Sequence, residues 1–135
     1  MRTHWHECTY VAYIWKDQMI NSSGGTRMKA EKNGERLLIC LSGEIDHCCA
    51  EKMREEIESL LRDQNIKQLI LDFSKVRFMD SSGIGMLIGR YKTMAARDGS
   101  VCVRRMQPSV KKLFCLAGLH RIIAEQESED MKNEK

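Results

Sequence analysis

The sequence predicts an α/β fold, in which a mixed β-sheet of about five strands is covered by about three α-helices. Two observations predict it. Short, continuously apolar runs over residues 37–41 and 69–71 are typical of strands that are buried on both faces. Between such runs lie segments whose apolar residues recur at the helical period. This alternation of strands and helices favours a parallel or mixed sheet with helices packed on it.

The chain is predicted to begin its sheet with a hairpin. Residues 28–32 and 36–42 are the two strands, and Asn33-Gly34 between them is a strong signal for a two-residue turn. Residues 43–46 are predicted to be the loop that follows the second strand.

A helix and a buried strand are predicted next. The apolar stripe of this first helix consists of Ala50, Met53, Ile57, Leu60 and Leu61. Its charged side offers Glu58 and Arg62 as an i,i+4 ion pair. The strand is predicted over residues 66–73, and residues 74–77 are predicted to be a short connection.

The remaining elements follow the same pattern. A second helix begins near Ser82 and ends at residues 98–99, and a strand follows over residues 100–105. A third helix lies between Pro108 and Gly118, because proline is favoured at the first helical position and glycine just after the last. Residues 121–124 are predicted to be the last strand.

The composition narrows the possible functions. The 135 residues suffice for one domain, and a net charge of +3 from 22 basic and 19 acidic residues gives no electrostatic footprint for nucleic acid. The longest apolar run, residues 37–41, is far shorter than the ~20 residues of a membrane helix. Six cysteines without a Cys-x-x-Cys pair indicate reduced thiols. We therefore expect a cytoplasmic protein that binds neither nucleic acid directly nor a membrane.

Residues 1–27 differ from the rest of the chain. An isolated apolar segment over residues 10–15 is followed by a linker-like Asn-Ser-Ser-Gly-Gly at 21–25. We expect an N-terminal extension or leader that is poorly ordered, with Met28 as a possible true start. Three metal-ligating side chains in this segment are interpreted as part of a polar tail rather than as a metal site: His4, His6 and Cys8.

The segment over residues 78–89 carries the most chemical information. Ser81 follows a strand, directly after Asp80, where a helix begins. Aspartate and serine commonly cap helix starts, so a structural cap is the simpler interpretation. The same position also exposes a hydroxyl at the positive end of a helix. A phosphate there would be stabilised by N–H donors while adding about −1.5 to −2 charges.

Nucleotide binding is an alternative interpretation of the glycines in this segment. Gly83, Gly85 and Gly89 have the spacing G-x-G-x-x-x-G, which differs from the dinucleotide fingerprint, and no P-loop lysine follows. The next strand ends in Arg104-Arg105 where that fingerprint expects an acidic residue. A helix face of small residues packed close to the sheet is favoured instead.

Catalysis has little support in the sequence. Ser81 lacks the G-x-S-x-G elbow of hydrolases, and no nucleophile accompanies the adjacent Asp46 and His47. We expect no catalytic residues, no metal ligands and no cofactor, and therefore a protein that is not an enzyme.

The chain resembles the STAS domain, and specifically the anti-sigma factor antagonists that act on sigma F in spore-forming bacteria. The most specific match is Phe-Met-Asp-Ser-Ser-Gly at 78–83 together with Gly-Arg-Tyr-Lys at 89–92. Further matching segments are residues 41–47, 108–114 and 117–119. The resemblance implies a STAS domain over residues 28–127 and leaves residues 128–135 as a polar C-terminal tail.

The resemblance implies a partner-switching mechanism. The unphosphorylated protein would bind an anti-sigma factor with serine kinase activity and so release a sigma factor. Phosphorylation of Ser81 would end the binding, and a serine phosphatase would restore it. The resemblance assigns the partner-binding surface to Asp46, Asp80, Ser82, Gly83, Ile84 and Gly85. Ser82 is the less favoured acceptor and a candidate cap.

Two features of the sequence bear on this resemblance. Cys48-Cys49 stands where the family usually has His and Thr, and that threonine is the expected helix cap. A STAS module of a stressosome or a transporter is a further possibility, which the absence of membrane spans and of a large second domain in this sequence disfavours.

Overall fold

The computed structural model describes residues 27–126, which form one five-stranded sheet and three α-helices. The strands follow the order β1-β2-β3-β4-β5 across the sheet, and only the β1–β2 pair is antiparallel. The predicted fold class is therefore confirmed. The predicted C-terminal tail and the predicted extension, except for Arg27, lie outside the described residues. The elements are β1 (Arg27–Asn33), β2 (Arg36–Ile45), α1 (His47–Leu60), β3 (Gln68–Met79), α2 (Ser81–Ala95), β4 (Ser100–Arg104), α3 (Pro108–Leu116), a 3-10 turn (Leu119–Arg121) and β5 (Ala124–Gln126).

The predicted hairpin is present, with its turn displaced by one residue. Asn33 is still paired with Arg36, so Gly34 and Glu35 form the two-residue turn. Gly34 has φ +64°, a left-handed conformation that glycine adopts without steric cost. Glycine at the first turn position thus satisfies the geometry that such tight hairpins require.

Two predicted loops belong to strands. Residues 43–45 continue β2 and residues 74–77 continue β3, so both predictions were wrong. The polar residues remain in the ladder because the β2–β3 pairing shifts register twice, between Cys40 and Ser42 and between Gly43 and Glu44. Such irregularities bend a strand and keep its pairing beyond the apolar stretch.

The end of the domain also differs from the prediction. The last strand is β5, over Ala124–Gln126, rather than residues 121–124. Helix α3 ends at Leu116, and Gly118, with φ +81°, turns the chain into the 3-10 segment. Ile123 joins the core from outside the strand, which explains why its apolar character resembled a strand.

The three helices pack on the same side of the sheet. Their buried apolar side chains form one large cluster with strand residues such as Ile39 and Leu71. A separate, smaller cluster on the strands consists of Leu38, Ile70 and Cys102, with Cys40 packed against it. Within residues 27–126, no helix is long and apolar enough to span a bilayer.

An ion pair between a buried arginine and a partly exposed glutamate joins α1 to α2. The Glu58 carboxylate lies 2.7 Å from Arg90 Nε as an ion pair and accepts a hydrogen bond from Thr93 Oγ1 at 2.9 Å, so Glu58 pairs across the two helices rather than with Arg62. The Arg90 side chain is 6% exposed. Burial lowers the pKa of the Arg90 guanidinium, and the Glu58 charge opposes that shift.

A second buried charge lies at the far side of the sheet. Asp72 is 1% exposed and accepts from the Ser74 backbone N–H at 2.8 Å and from Arg104 Nε and Arg105 Nε at 3.0 Å each. Burial alone would raise the pKa of Asp72, but these hydrogen bonds outweigh burial and hold the pKa below its ordinary value. The two arginines that argued against a dinucleotide fingerprint thus compensate a buried carboxylate.

Candidate functional site

The residues expected to act together meet where β2 and β3 end. Ile45 and Met79 are register partners, and the Asp80 backbone N–H donates to the Ile45 carbonyl at 3.1 Å. The next residues, Asp46 and Asp80, therefore begin helices α1 and α2 about one strand spacing, ~4.8 Å, apart. Two helix N-termini lie side by side at this edge of the sheet.

An aspartate caps each of these helices. Asp46 Oδ1 accepts from the backbone N–H groups of Cys48 and Cys49, at 3.0 and 3.2 Å. Asp80 Oδ1 accepts from the Ser82 N–H at 2.8 Å. Both aspartates have the extended backbone typical of an N-cap. The first helix is therefore capped without the threonine of the family pattern.

Cys49 has a packing role in place of that threonine. The residue is fully buried, and its thiol donates to the Glu44 carbonyl at 3.3 Å. Its neighbour Cys48 is exposed at the same helix start. The substitution of two cysteines therefore keeps the helix start intact and leaves one thiol at the surface.

Ser81 is the first residue of α2 and is exposed to solvent. Ser82 is only partly exposed, and it is a donor to the cap rather than the cap itself, which corrects the prediction. The Ser81 hydroxyl lies at the positive end of a 15-residue helix. A phosphate on it would meet a favourable helix dipole but also the carboxylate of Asp80.

Gly83 allows α2 to approach the strands closely. A Cβ at this position would lie 2.3 Å from Met79 Cγ and 3.3 Å from Ile45 Cγ2. At Gly85 and Gly89 a Cβ would meet nothing within 4 Å. The predicted small-residue packing face is thus confirmed for one glycine and is wrong for the other two.

An open groove of about 220 Å³ lies between α1 and α2 and is lined by Ser82, the neighbour of Ser81. Gly85 and Ala50 contribute little side-chain volume, and the Glu51–Arg54 ion pair lines one side. The groove is partly polar and open at the surface, as a docking groove for another protein would be.

The expected partner-binding residues divide by exposure. Gly85 is exposed, and Asp46, Asp80 and Ser82 are partly exposed, so these four line the surface around Ser81. Gly83 and Ile84 are buried and support this surface from beneath.

Sequence reasoning missed Phe78, which is 48% exposed beside the site. Alternation along β3 was the available signal, because Met79 points into the core and its neighbour must point outward. Phe78 is also the register partner of Glu44, whose carboxylate lies 3.5 Å from Arg77. Among residues 27–126, no cluster of three or more metal-ligating side chains is present.

Comparison with known proteins identifies the family. The STAS domain profile matches residues 27–132. The anti-sigma F factor antagonist of Paenibacillus polymyxa is 32% identical over 87 residues, which are 64% of this chain and 74% of that protein. The anti-sigma-B factor antagonist of Listeria monocytogenes is 30% identical over 93 residues, 69% of this chain and 81% of that protein.

Solved structures agree with these sequence matches. The anti-sigma factor antagonist SpoIIAA in its unphosphorylated form superimposes with a TM-score of 0.68 at 29% identity, covering 79% of this chain and 93% of SpoIIAA. The phosphorylated form of SpoIIAA from Bacillus superimposes with a TM-score of 0.63 at 28% identity, covering 79% and 96%. Because the domain profile, the fold and the related sequences all agree, this chain belongs to the STAS domain family, and the relatives named above are anti-sigma factor antagonists.

Proposed function

We propose that this protein is an anti-sigma factor antagonist that switches partners through phosphorylation of Ser81. Its unphosphorylated form binds an anti-sigma factor with serine kinase activity and thereby releases a sigma factor of the sporulation sigma F type. The kinase then phosphorylates Ser81 and the complex dissociates, after which a serine phosphatase restores the binding form. The protein acts in the cytoplasm and has no catalytic activity of its own.

The position of Ser81 carries this proposal. Its hydroxyl is exposed at the first position of α2, where a kinase can reach it without unfolding the domain. The cap hydrogen bond is made by Asp80, so esterifying the Ser81 hydroxyl leaves the cap in place. Modification can therefore change the surface while the fold is kept.

The charge at the site explains how binding would be lost. Two carboxylates, of Asp46 and Asp80, already lie at the adjoining helix starts. Phosphorylation adds about −1.5 to −2 further charges at pH 7. In a packed interface, an unpaired buried charge costs about 2–5 kcal/mol, which is enough to dissociate a regulatory complex.

Nucleotide binding or hydrolysis through the segment from Gly83 to Gly89 remains the alternative. The groove beside it measures about 220 Å³, below the roughly 300–1,000 Å³ of typical small-molecule pockets. Gly83, which that alternative would place against a phosphate, is instead packed against Met79. These observations favour the docking of a protein over the binding of a nucleotide.

Two alanine variants test the proposal with a matched control. The Ser81→Ala variant should bind the anti-sigma factor, accept no phosphate when ATP is added, and stay bound. Ser82→Ala, one residue away on the same surface, keeps the Ser81 hydroxyl and should still be phosphorylated and released when ATP is added, whatever its starting affinity for the anti-sigma factor. The measurement is the retained fraction of complex after ATP addition, together with phosphopeptide mapping.

Two outcomes would contradict the proposal. If Ser81→Ala is still released by ATP, or if phosphate maps to Ser82, the assignment of the switch to Ser81 is wrong. If the protein alone hydrolyses or tightly binds a nucleotide, the alternative function is supported instead.

A further inference from the structure

The side of the sheet opposite the helices carries two ordered rows of side chains. Residues that are register partners on neighbouring strands point to the same face. The apolar row runs through Leu38, Ile70 and Cys102 on β2, β3 and β4. The polar row beside it runs through Cys40, Asp72 and Arg104.

The centre of the apolar row is buried although the helices are elsewhere. Leu38, Ile70 and Cys102 are only 5%, 1% and 6% exposed. The buried apolar side chains of α1, α2 and α3 all belong to the cluster on the other face. At the end of the row, Ala124 on β5 is exposed, so the burial is confined to the centre. A side chain in mid-sheet that nothing covered would keep more of its surface in water.

We propose that the apolar segment at residues 10–15 of this same chain covers this face. The segment, Tyr-Val-Ala-Tyr-Ile-Trp, is the apolar stretch of the 26 residues that precede the described chain. Each of its aromatic side chains can bury about 150–250 Å². The extension would then be an integral part of the domain core, rather than the poorly ordered leader that the sequence predicted.

The position of β1 gives the segment access to the face. The described chain starts at Arg27 on β1, the edge strand next to Leu38 and Cys40 on β2. The distance from β1 to β4 is three strand spacings, roughly 14 Å. The residues between 15 and 27 can span up to about 40 Å, so the linker is long enough. Six residues cover about 9 Å as a helix or about 20 Å when extended, either of which spans the cluster.

A shallow cleft at the edge of the cluster offers room for a side chain of the segment. The cleft measures about 200 Å³ and is lined by Leu38 and Cys40 together with residues of β1. Cys40 is only partly exposed in this cleft, and burial, followed by the Asp72 charge, raises the pKa of its thiol. The cleft and the buried row form one continuous surface on this side of the sheet.

The proposal is tested in the full chain by alkylation of individual cysteines. We would replace two residues of the segment, Ile14→Asp with Trp15→Asp, and measure iodoacetamide labelling by peptide mass spectrometry. Labelling of Cys102 and Cys40 should rise by roughly tenfold or more, the range expected when the burial of a large apolar side chain is lost. Cys49, which α1 buries against the opposite face of the sheet, is the matched control and should remain protected.

A fluorescence measurement provides a second test that needs no destabilising change. Both tryptophans, Trp5 and Trp15, lie in the extension, so Trp5→Phe leaves a single reporter. Native Trp15 should emit at shorter wavelength and be quenched less by acrylamide than in the urea-unfolded chain.

The opposite results would overturn the proposal. One such result is Cys102 labelling in the double variant that equals the labelling in the wild type. The other is a Trp15 that acrylamide quenches as strongly in the native chain as in the urea-unfolded chain. Cys102 protection that varies with protein concentration would also overturn it, since it would identify a second copy of the chain as the cover.

Discussion

Replacing Gly83 with alanine should destabilise the protein, because the α2 N-terminus lies too close to the strands for a Cβ. The new methyl group would be 2.3 Å from Met79 Cγ and 2.6 Å from its Sδ. Contacts this short force the methionine out of its place, and the third contact, 3.3 Å from Ile45 Cγ2, limits where it can move. Met79 is 5% exposed, so no solvent space accepts the displaced side chain.

The magnitude follows from two opposing effects. Overpacking of a filled core costs about 1–3 kcal/mol. Removing a glycine from a helix interior recovers about 0.5–1 kcal/mol. We expect a net loss of about 1–2 kcal/mol in the free energy of unfolding. Gly89→Ala is the matched control in the same helix, because a Cβ there meets nothing within 4 Å and only the favourable helix effect of about 0.5–1 kcal/mol remains.

Urea denaturation of the two variants measures this difference. The midpoint should fall for Gly83→Ala and rise for Gly89→Ala, with the same slope for both. If the two variants were equally stable, the close approach of α2 to Met79 would not exist and the site geometry built on it would be wrong.

Four further substitutions test the buried charges and one cap. Asp72→Ala should lower the free energy of unfolding by about 3–5 kcal/mol, since Arg104 stays buried without its partner. The pKa of Asp72 is lower in the folded protein than in the unfolded chain, where it is about 3.9. The stability that Asp72 contributes is therefore present above this unfolded pKa and is lost as the pH falls through the folded pKa. In acid denaturation profiles, the stabilities of the wild type and of Asp72→Ala should converge. Glu58→Ala leaves the buried Arg90 without its ion-pair partner and should lower the free energy of unfolding, measured in urea, by about 1–3 kcal/mol. Arg90→Met should cost less, because the carboxylate that it leaves unpaired is one-third exposed. Asp46→Ala should cost about 0.5–2 kcal/mol in thermal or urea unfolding through loss of the α1 cap, and no loss would contradict the cap assignment.

The order and type of the elements could be predicted because their signals are local. The apolar run at residues 37–41 and the helical stripe that includes Met53 and Ile57 depend on the faces that each segment buries. Strand ends depend instead on pairing. Nothing within residues 74–77 alone reveals that register shifts in β2 keep this polar stretch in the ladder.

The site shows the same division. The hydroxyl at the start of α2 was predictable, since Asp80-Ser81 follows an apolar strand and precedes a helical stripe. The partner of Glu58 was not, because i,i+4 spacing suggested Arg62 while the tertiary packing of two helices provides Arg90. The cap by Asp46 was missed because Asp46 was predicted to be the last residue of a loop. The sequence does not show which backbone N–H groups a carboxylate in a loop accepts hydrogen bonds from.

The affinity of the anti-sigma factor for the two forms of this protein tests the central claim most directly. The protein phosphorylated at Ser81 and the unphosphorylated protein should be compared by calorimetry at the same pH and salt concentration. A cost of about 2–5 kcal/mol predicts that phosphorylation weakens binding by roughly 30-fold to several thousand-fold. Equal affinity of the two forms, with phosphate demonstrated on Ser81, would contradict the account.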